Sequence, residues 1–241
     1  MKLLRLFTTI LATVTAFTRL SADSIAIADP SFEALTGSDP AFFDSAGKLR
    51  PYQGSIGVGA PHGSNAFNSA DPIPGWETGS SAGIINYTGT PFFPNGVPDG
   101  QNVAWINVSG TISQTLTTTY QPNISYELDV SVGRLVGFDS TGYQISLYAG
   151  AQLLATDNNS ISLTPGAFST ATVATIVPAN SPAVGQPIEI VLQAKGLGNS
   201  AAQVVFDNVQ LKATAVPEPS TLALAALGFA GLVFASRRFR R

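Results

Sequence analysis

The chain has 241 residues, of which 12 are lysine or arginine and 15 are aspartate or glutamate, giving a net charge of −3. It contains no cysteine and one histidine, His62, so disulfides, thiol catalysis and metal sites built from cysteine are excluded. Between the two ends, residues 23–216 hold 14 acidic and five basic residues, a net charge of −9. An acidic body lacks the basic surface that nucleic-acid binding needs, and it suits a hard divalent cation.

The N-terminal residues 1–22 have the layout of a secretory signal peptide. Lys2 and Arg5 precede an apolar run from Leu6 to Phe17, which is too short to cross a bilayer comfortably. We therefore predict a signal helix that directs export; the alternatives are an uncleaved anchor or a buried N-terminal helix. Small-residue patterns that permit cleavage end at three positions, Ala16, Ala22 and Ala28.

Residues 23–214 show the two-residue period of β-strands. From Ile124 to Val132, apolar and polar side chains alternate strictly, and no useful stretch of helical period occurs between the two ends. Strands at this spacing, separated by turn clusters, predict an all-β antiparallel sandwich. The other predicted strands are Ala82–Asn86, Asn102–Asn107, Thr111–Leu116, Tyr143–Leu147, Phe168–Val177 and Ile188–Leu192.

The last predicted strand changes face part-way along its length. Val204 and Phe206 share one face, whereas Val209 and Leu211 have the opposite parity. Because the faces of a strand alternate, the core-facing set must change register at Asp207-Asn208, which predicts a β-bulge. A bulge turns an acidic side chain and spare carbonyl groups sideways, a plausible corner for a metal ion.

The C-terminal residues 215–241 contain three consecutive features. The motif Pro217-Glu218-Pro219 precedes an apolar stretch from Leu222 to Ala235, and arginines, including Arg237 and Arg238, follow it. We predict a single membrane helix over residues 221–236. Arginines cross a bilayer only at high cost, so they stay cytoplasmic and the body of the chain lies outside.

This tail resembles the PEP-CTERM sorting signal of Gram-negative bacteria. The resemblance implies processing near Pro217-Glu218-Pro219 by an exosortase-type membrane protease. It therefore predicts a precursor anchored in the inner membrane, and then a protein of the cell surface or extracellular matrix. The alternative is an ordinary tail anchor.

Three short motifs resemble those of carbohydrate-binding-module-like (galactose-binding-like) jelly rolls. They are Asp29-Pro30-Ser31-Phe32-Glu33, Pro74-Gly75-Trp76 and Phe206-Asp207-Asn208-Val209. The resemblance implies a two-sheet jelly roll whose first and last strands lie together. It also implies a structural calcium ion held by Glu33, Asp207 and nearby carbonyl groups; the alternative is two unrelated surface acids.

Two further segments resemble the calcium-dependent hapalindole-type cyclases of cyanobacteria. They are residues 98–104, Pro-Asp-Gly-Gln-Asn-Val-Ala, and residues 110–116, Gly-Thr-Ile-Ser-Gln-Thr-Leu. The resemblance implies an apolar pocket lined by aromatic side chains, with an acidic residue as proton donor. Trp105 stands where we expect a tyrosine, which would narrow such a pocket and remove a hydroxyl group.

Four aromatic residues are our candidate ligand-binding platforms: Trp76, Trp105, Tyr87 and Phe138. Aromatic rings stack on the apolar faces of sugars, but large aromatic side chains also dominate protein cores. We also expect the Phe92-Phe93 pair, between two prolines, to lie exposed in a loop. We interpret the chain as a non-catalytic, calcium-stabilised surface protein that binds exopolysaccharide. The alternatives are a calcium-dependent, cyclase-like enzyme acting on an apolar aromatic molecule, and a purely structural module.

Overall fold

A computed structural model describes residues 21–51, 56–58, 67–68, 73–178, 180–197, 202–216 and 228. These residues form thirteen strands and no long helix. The predicted signal helix lies outside the described residues, as does the predicted membrane helix apart from Gly228. In the described ranges, no helix combines the length and apolarity that crossing a bilayer requires.

The strand bounds follow the alternating apolar pattern closely. Ala82–Asn86 and Asn102–Asn107 form strands as predicted, and the strict alternation after Ile124 extends two residues further, to Arg134. The strands in chain order are β1 Asp23–Ile25, β2 Ile56–Val58, β3 Phe67–Asn68, β4 Glu77–Thr78, β5 Ala82–Asn86, β6 Asn102–Asn107, β7 Thr111–Thr119, β8 Ile124–Arg134, β9 Tyr143–Ala149, β10 Gln152–Asp157, β11 Ala167–Ile176, β12 Pro187–Ala194 and β13 Gln203–Ala215.

The strands form two facing sheets. The larger has the order β11-β8-β13-β6-β5-β2-β3, with β1 also paired to β13, and the smaller has the order β10-β9-β12-β7-β4. All pairings are antiparallel except the short β2–β3 pair. The predicted all-β, two-sheet antiparallel jelly-roll sandwich is confirmed.

The first and last strands lie side by side, as the jelly-roll resemblance implies. In β1, Asp23 pairs with Ala213 and Ile25 pairs with Leu211. The last strand ends at Ala215, and the amide of Val216 donates a hydrogen bond to the carbonyl of Asn123 at 2.7 Å. Both chain ends therefore leave the sandwich on the same side.

The predicted bulge occurs in β13. Its pairing with β8 runs from Val205 to Asp207, shifts register, and resumes at Gln210. Asn208 has a φ of 47°, in the left-handed region that asparagine tolerates better than most residues. The shift turns both Phe206 and Val209 into the main core, which resolves the parity conflict in the sequence.

Buried apolar residues form two separate clusters. The main core fills the space between the sheets, and it includes Ala104 and Ile106 of β6. The intervening residues Val103 and Trp105 belong to a second cluster, so this cluster covers the outer face of the larger sheet. Its buried members are Ile85, Tyr87, Phe93, Val103, Trp105, Leu135 and Val205.

Candidate functional site: an acidic corner beside an aromatic cluster

The segment after β1 is anchored across the end of the sandwich. The Gln114 side chain accepts a hydrogen bond from the Ala28 amide at 2.8 Å and donates one to the Ala28 carbonyl at 2.9 Å. Trp76 donates from Nε1 to the same carbonyl at 2.9 Å, and its ring lies 5.5 Å from that of buried Phe32. Glu33 directly follows Phe32 in the chain, so these contacts set its position.

Asp29 shapes the turn that presents Glu33. Its Oδ1 accepts hydrogen bonds from the amides of Glu33 and Ala34 at 2.7 and 2.9 Å, while its Oδ2 is buried without a hydrogen-bond partner. Burial raises the pKa of Asp29. The two amide hydrogen bonds lower this pKa, and the neighbouring charge of Glu33 raises it. The turn thus places Oδ2 of Asp29, which has no hydrogen-bond donor, near the carboxylate of Glu33.

Glu33 binds the turn that leads into β6. Its Oε1 accepts hydrogen bonds from the amides of Gln101 and Asn102, at 2.6 and 2.5 Å. The Asn102 side-chain amide donates to Oε2 of Glu33 at 3.2 Å, while Oδ1 of Asn102 is buried without a partner. A small cavity of about 10 Å³, room for roughly one water molecule, lies between Glu33, Lys48 and Asn102.

Asp207 of β13 binds the same turn. It is fully buried, and its Oδ2 accepts a hydrogen bond from the Asp99 amide at 2.9 Å. Burial raises the pKa of Asp207 to about 7. The negative charges of Asp99 and Glu33 also raise this pKa, whereas the two amide hydrogen bonds lower it. The structure therefore links the two predicted calcium ligands through one turn, residues 99–102.

The donor set of this corner consists of oxygen atoms. Carboxylate, amide and carbonyl oxygens are the ligands that Ca²⁺ prefers, whereas zinc favours nitrogen and sulfur. Oxygens without hydrogen-bond partners at Asp29 and Asn102 fit such an ion, since a cation would satisfy them. Among the described residues, no three His, Cys, Asp or Glu side chains cluster as potential metal ligands.

The four predicted platform residues occupy different positions. Trp76 is 3% exposed and belongs to the main core, while Trp105 and Tyr87 are buried in the outer cluster. Phe138 is half-buried at the edge of that cluster. In this conformation the three buried rings offer no free face to a polysaccharide, and ligand binding by all four residues stays a prediction.

The outer cluster is a continuous set of aromatic contacts. The ring of Tyr87 lies 5.4 Å from Phe93 and 5.8 Å from Phe92, and Phe92 lies 5.5 Å from Phe138. The expectation that the Phe92-Phe93 pair is exposed is wrong for Phe93, which is buried against Phe168. The reason is that the loop folds back over the sheet, a contact that local sequence does not reveal.

Polar atoms beneath this cluster are only partly satisfied. Tyr87 donates its hydroxyl hydrogen to Oε1 of Gln203 at 3.0 Å. Nε1 of Trp105, Nε2 of Gln203 and Oδ1 of Asn107 are buried without hydrogen-bond partners. Unpaired buried polar groups cost roughly 1–3 kcal/mol each, so they mark places where a ligand group would be stabilised.

Several residues of the acidic corner were not singled out as site residues by sequence reasoning. Asp99 and Asn102 stood in the segment that resembles the cyclases, but their pattern is that of an ordinary turn. Gln114 is one polar residue among many in a serine- and threonine-rich strand. Their roles depend on contacts 68 to 108 residues away along the chain.

Comparison with known proteins now identifies the fold family. A family model described as HpiC1 cyclase, HpiC1-like, matches residues 23–212, which is most of the chain and all of the sandwich except the last three residues of β13. This chain belongs to the HpiC1-like family. A second model, the PEP-CTERM protein-sorting motif, matches residues 215–241 and implies processing by an exosortase-type system. No curated protein sequence matches the chain.

Solved structures from Fischerella sp. TAU resemble this family member over the same region. The Stig cyclase Fisc, in complex with (3Z)-3-(1-methyl-2-pyrrolidinylidene)-3H-indole, is 26% identical with a TM-score of 0.62. A cyclase in complex with 4-(1H-indol-3-yl)butan-2-one is 25% identical with a TM-score of 0.63. Each alignment covers 82% of this chain and 100% of the cyclase. A xylan-binding CBM22-1 domain from Paenibacillus barcinonensis Xyn10C, with 12% identity over 60% of this chain and 88% of its own, has a TM-score of 0.41.

Proposed function

We propose that this HpiC1-like protein is an exported, exosortase-sorted protein of the cell surface or matrix, with a non-catalytic sandwich clamped by calcium. The observation that supports the clamp is the acidic corner: Glu33 and the buried Asp207 both accept hydrogen bonds from backbone amides of one turn. The sorting motif supports the destination.

Calcium would relieve the electrostatic cost of this corner. Burying a carboxylate without a compensating charge is unfavourable, and this burial raises the pKa of Asp207 to about 7. A bound cation favours the ionised form and joins β13 to the segment after β1. Glu33 and Asp207 would supply carboxylate oxygens, and Asn102 and Asp29 carry the buried oxygens that lack partners.

Thermal melting of residues 23–216 with calcium and with EGTA tests the clamp. We expect calcium to raise the melting temperature of the wild type and to have little effect on Glu33→Gln and Asp207→Asn. Glu189→Gln is the matched control, because it removes one negative charge from the outer face of the smaller sheet. Superimposable wild-type curves in calcium and EGTA would remove the calcium proposal.

Exopolysaccharide is the ligand class that we propose for the sandwich. The surface destination supports it, since a matrix protein meets polysaccharide at high concentration. Pull-down of native matrix polysaccharide by residues 23–216 is the test, with Phe138→Ala as the variant expected to weaken binding, because Phe138 is the most accessible of the four platforms. Absence of binding to any native matrix polymer would contradict this proposal.

A second candidate function is binding and cyclisation of an apolar aromatic molecule, as the family membership suggests. The supporting observation is the position of Asp207, two residues along β13 from Val205, whose cross-strand partner is Trp105. A buried carboxyl group beside an aromatic cluster has the surroundings of a proton donor. A ligand could enter the aromatic cluster only if the loop that carries Phe92 and Phe93 moved away from the sheet, because the rings of this loop pack against Tyr87.

The two functions assign different roles to Asp207, a calcium ligand in the clamp and a proton donor in the cyclase-like function. A carboxylate bound to calcium is ionised and cannot donate a proton, whereas a proton donor must be protonated near neutral pH. Titration of 4-(1H-indol-3-yl)butan-2-one, followed by tryptophan fluorescence with calcium and with EGTA, separates them. Binding that Asp207→Asn abolishes would favour the cyclase-like function; no binding in either buffer would favour the non-catalytic one.

A further inference from the structure

The two ends of the sandwich differ in charge. The end from which the chain continues into the sorting tail, here called the tail-side end, consists of the turns 120–123, 150–151 and 177–186 together with residues 213–216. None of these segments contains a charged residue, and residues 158–188 contain none at all. The loops at the far end carry Arg134, Asp139, Asp157 and Lys195.

Apolar side chains are exposed at the tail-side end. Ile176, the last residue of β11, is 61% exposed, and Leu153, next to the β9–β10 turn, is 46% exposed. Exposed apolar residues also occur at the far end, where Leu197 is 49% exposed, but there they alternate with charged groups. The nearest charges to the tail-side end are Asp23, which pairs with Ala213, and Glu189, which pairs with Tyr148, the same residue that pairs with Leu153. A Lys212–Asp129–Glu127 cluster lies on the side of the larger sheet.

The length of chain between sandwich and membrane segment is short. In the part of the chain that the structure describes, the last hydrogen bond of β13 and its flank is made by Val216, and the apolar stretch of the sequence begins at Leu222. Six residue steps span at most about 20 Å, and two of the five connecting residues are proline. The interfacial layer of one leaflet is itself about 5–8 Å thick. Because the connecting residues must also cross this layer, the sandwich stays close to the lipid head groups.

The membrane segment draws the sandwich closer still. The 14 residues from Leu222 to Ala235 would span about 21 Å as a helix, less than the roughly 30 Å of a hydrocarbon core. The flanking residues are then pulled toward the bilayer, while Arg237 and Arg238 hold the other side. The short chain between Val216 and Leu222, here called the tether, therefore gives the sandwich little freedom to move away from the membrane.

From this geometry we propose that, in the anchored precursor, the tail-side end lies against the lipid head groups, with Ile176 and Leu153 at the interface. The inference rests on the proposed membrane anchoring by the sorting tail. A surface with few charges and with exposed apolar side chains loses little solvation at a bilayer interface, whereas more highly charged loops would lose more. The same placement holds Pro217-Glu218-Pro219 at the membrane surface, within reach of a membrane protease.

The absence of native cysteine makes this placement directly measurable. Leu153→Cys, Ile176→Cys and the matched far-end control Leu197→Cys are labelled with an environment-sensitive fluorophore in the chain 23–241. The labelled proteins are reconstituted into phosphatidylethanolamine–phosphatidylglycerol vesicles, with and without lipids that carry a head-group nitroxide quencher. Co-flotation with the vesicles reports the anchoring separately.

Leu197 hydrogen-bonds Thr141, whereas Leu153 pairs with Tyr148, seven residues or roughly 23 Å further along the chain at the other end of β9. We therefore expect loss of fluorescence at positions 153 and 176 and none at 197. Equal quenching at all three positions in protein that floats would overturn the placement while leaving the anchor intact. Protein that does not float would overturn both. A 15-residue glycine–serine linker inserted between Val216 and Pro217 must reduce quenching at 153 and 176, and persistent quenching would contradict the role of the short tether.

Discussion

At the scale of single residues, Asp207 is the most informative side chain. It is fully buried, it faces the negative charges of Asp99 and Glu33, and its pKa is raised to about 7. A carboxyl group with a raised pKa favours the folded state while it is protonated. Its contribution to stability is therefore complete below the unfolded pKa, near 3.9, and is lost as the pH rises through 7.

In EGTA, we expect the free energy of unfolding to fall between about pH 4 and pH 7.5 and then to level off. The loss due to Asp207 is at most about 4 kcal/mol, at roughly 1.4 kcal/mol per pKa unit. Urea unfolding at several pH values measures it. Asp207→Asn should remove most of this slope, and a variant that kept the full slope would show that another group causes it.

Gly100 is a second residue whose role can be measured. It has a φ of 69°, and a Cβ at this position would collide with the Glu33 carboxylate. Gly96 has a φ of 82° with nothing within 4 Å, so Gly96→Ala is a control for backbone strain alone, about 1 kcal/mol. We expect Gly100→Ala to lose the calcium-dependent rise in melting temperature and Gly96→Ala to keep it. Equal calcium responses would contradict a role for this turn in the site.

At the scale of elements, the segment between β1 and Glu33 depends on one long-range side chain. Gln114 of β7 pairs with both backbone groups of Ala28, much as a neighbouring strand would. The segment has only three residues of β-pairing of its own, so this clamp substitutes for a longer strand.

We expect Gln114→Ala to destabilise the domain by about 1–2 kcal/mol, since two hydrogen bonds of about 1 kcal/mol each are lost. Denaturant unfolding measures the change, and amide hydrogen exchange at Ala28 should accelerate selectively. Gln121→Ala is the control, because Gln121 is exposed and its side chain hydrogen-bonds Thr119, a residue close by in the chain. A similar loss in both variants would show that the Ala28 clamp has no special role.

At the scale of the whole molecule, the folded sandwich and the sorting motif are adjacent in the chain. The sandwich ends with the hydrogen bond of Val216, and the motif Pro217-Glu218-Pro219 follows at once. Replacing the three motif residues with alanine should leave the sandwich folded and cause the unprocessed precursor to accumulate in the membrane fraction. Immunoblotting of fractionated cells measures this, with exposed Thr117→Ala as the control. Normal processing of the triple variant would contradict the sorting proposal.

The amino-acid sequence by itself determined the all-β sandwich, the bulge at Asp207-Asn208 and the sorting tail. Each of these is written in local patterns: the alternation after Ile124, the parity change between Phe206 and Val209, and three consecutive features at the C-terminus. Strand period and membrane hydropathy act over a few residues, so short windows of sequence reveal them.

Only the tertiary structure decided which side chains meet. It brought Glu33 and Asp207 to one turn, buried Trp76 in the main core, and placed Trp105 in a separate cluster on the outer face. It also showed that the chain leaves the sandwich at the end whose turns contain no charged residue. The physical reason is that these contacts join residues far apart in the chain, and their energies depend on burial and distance, which no local pattern encodes.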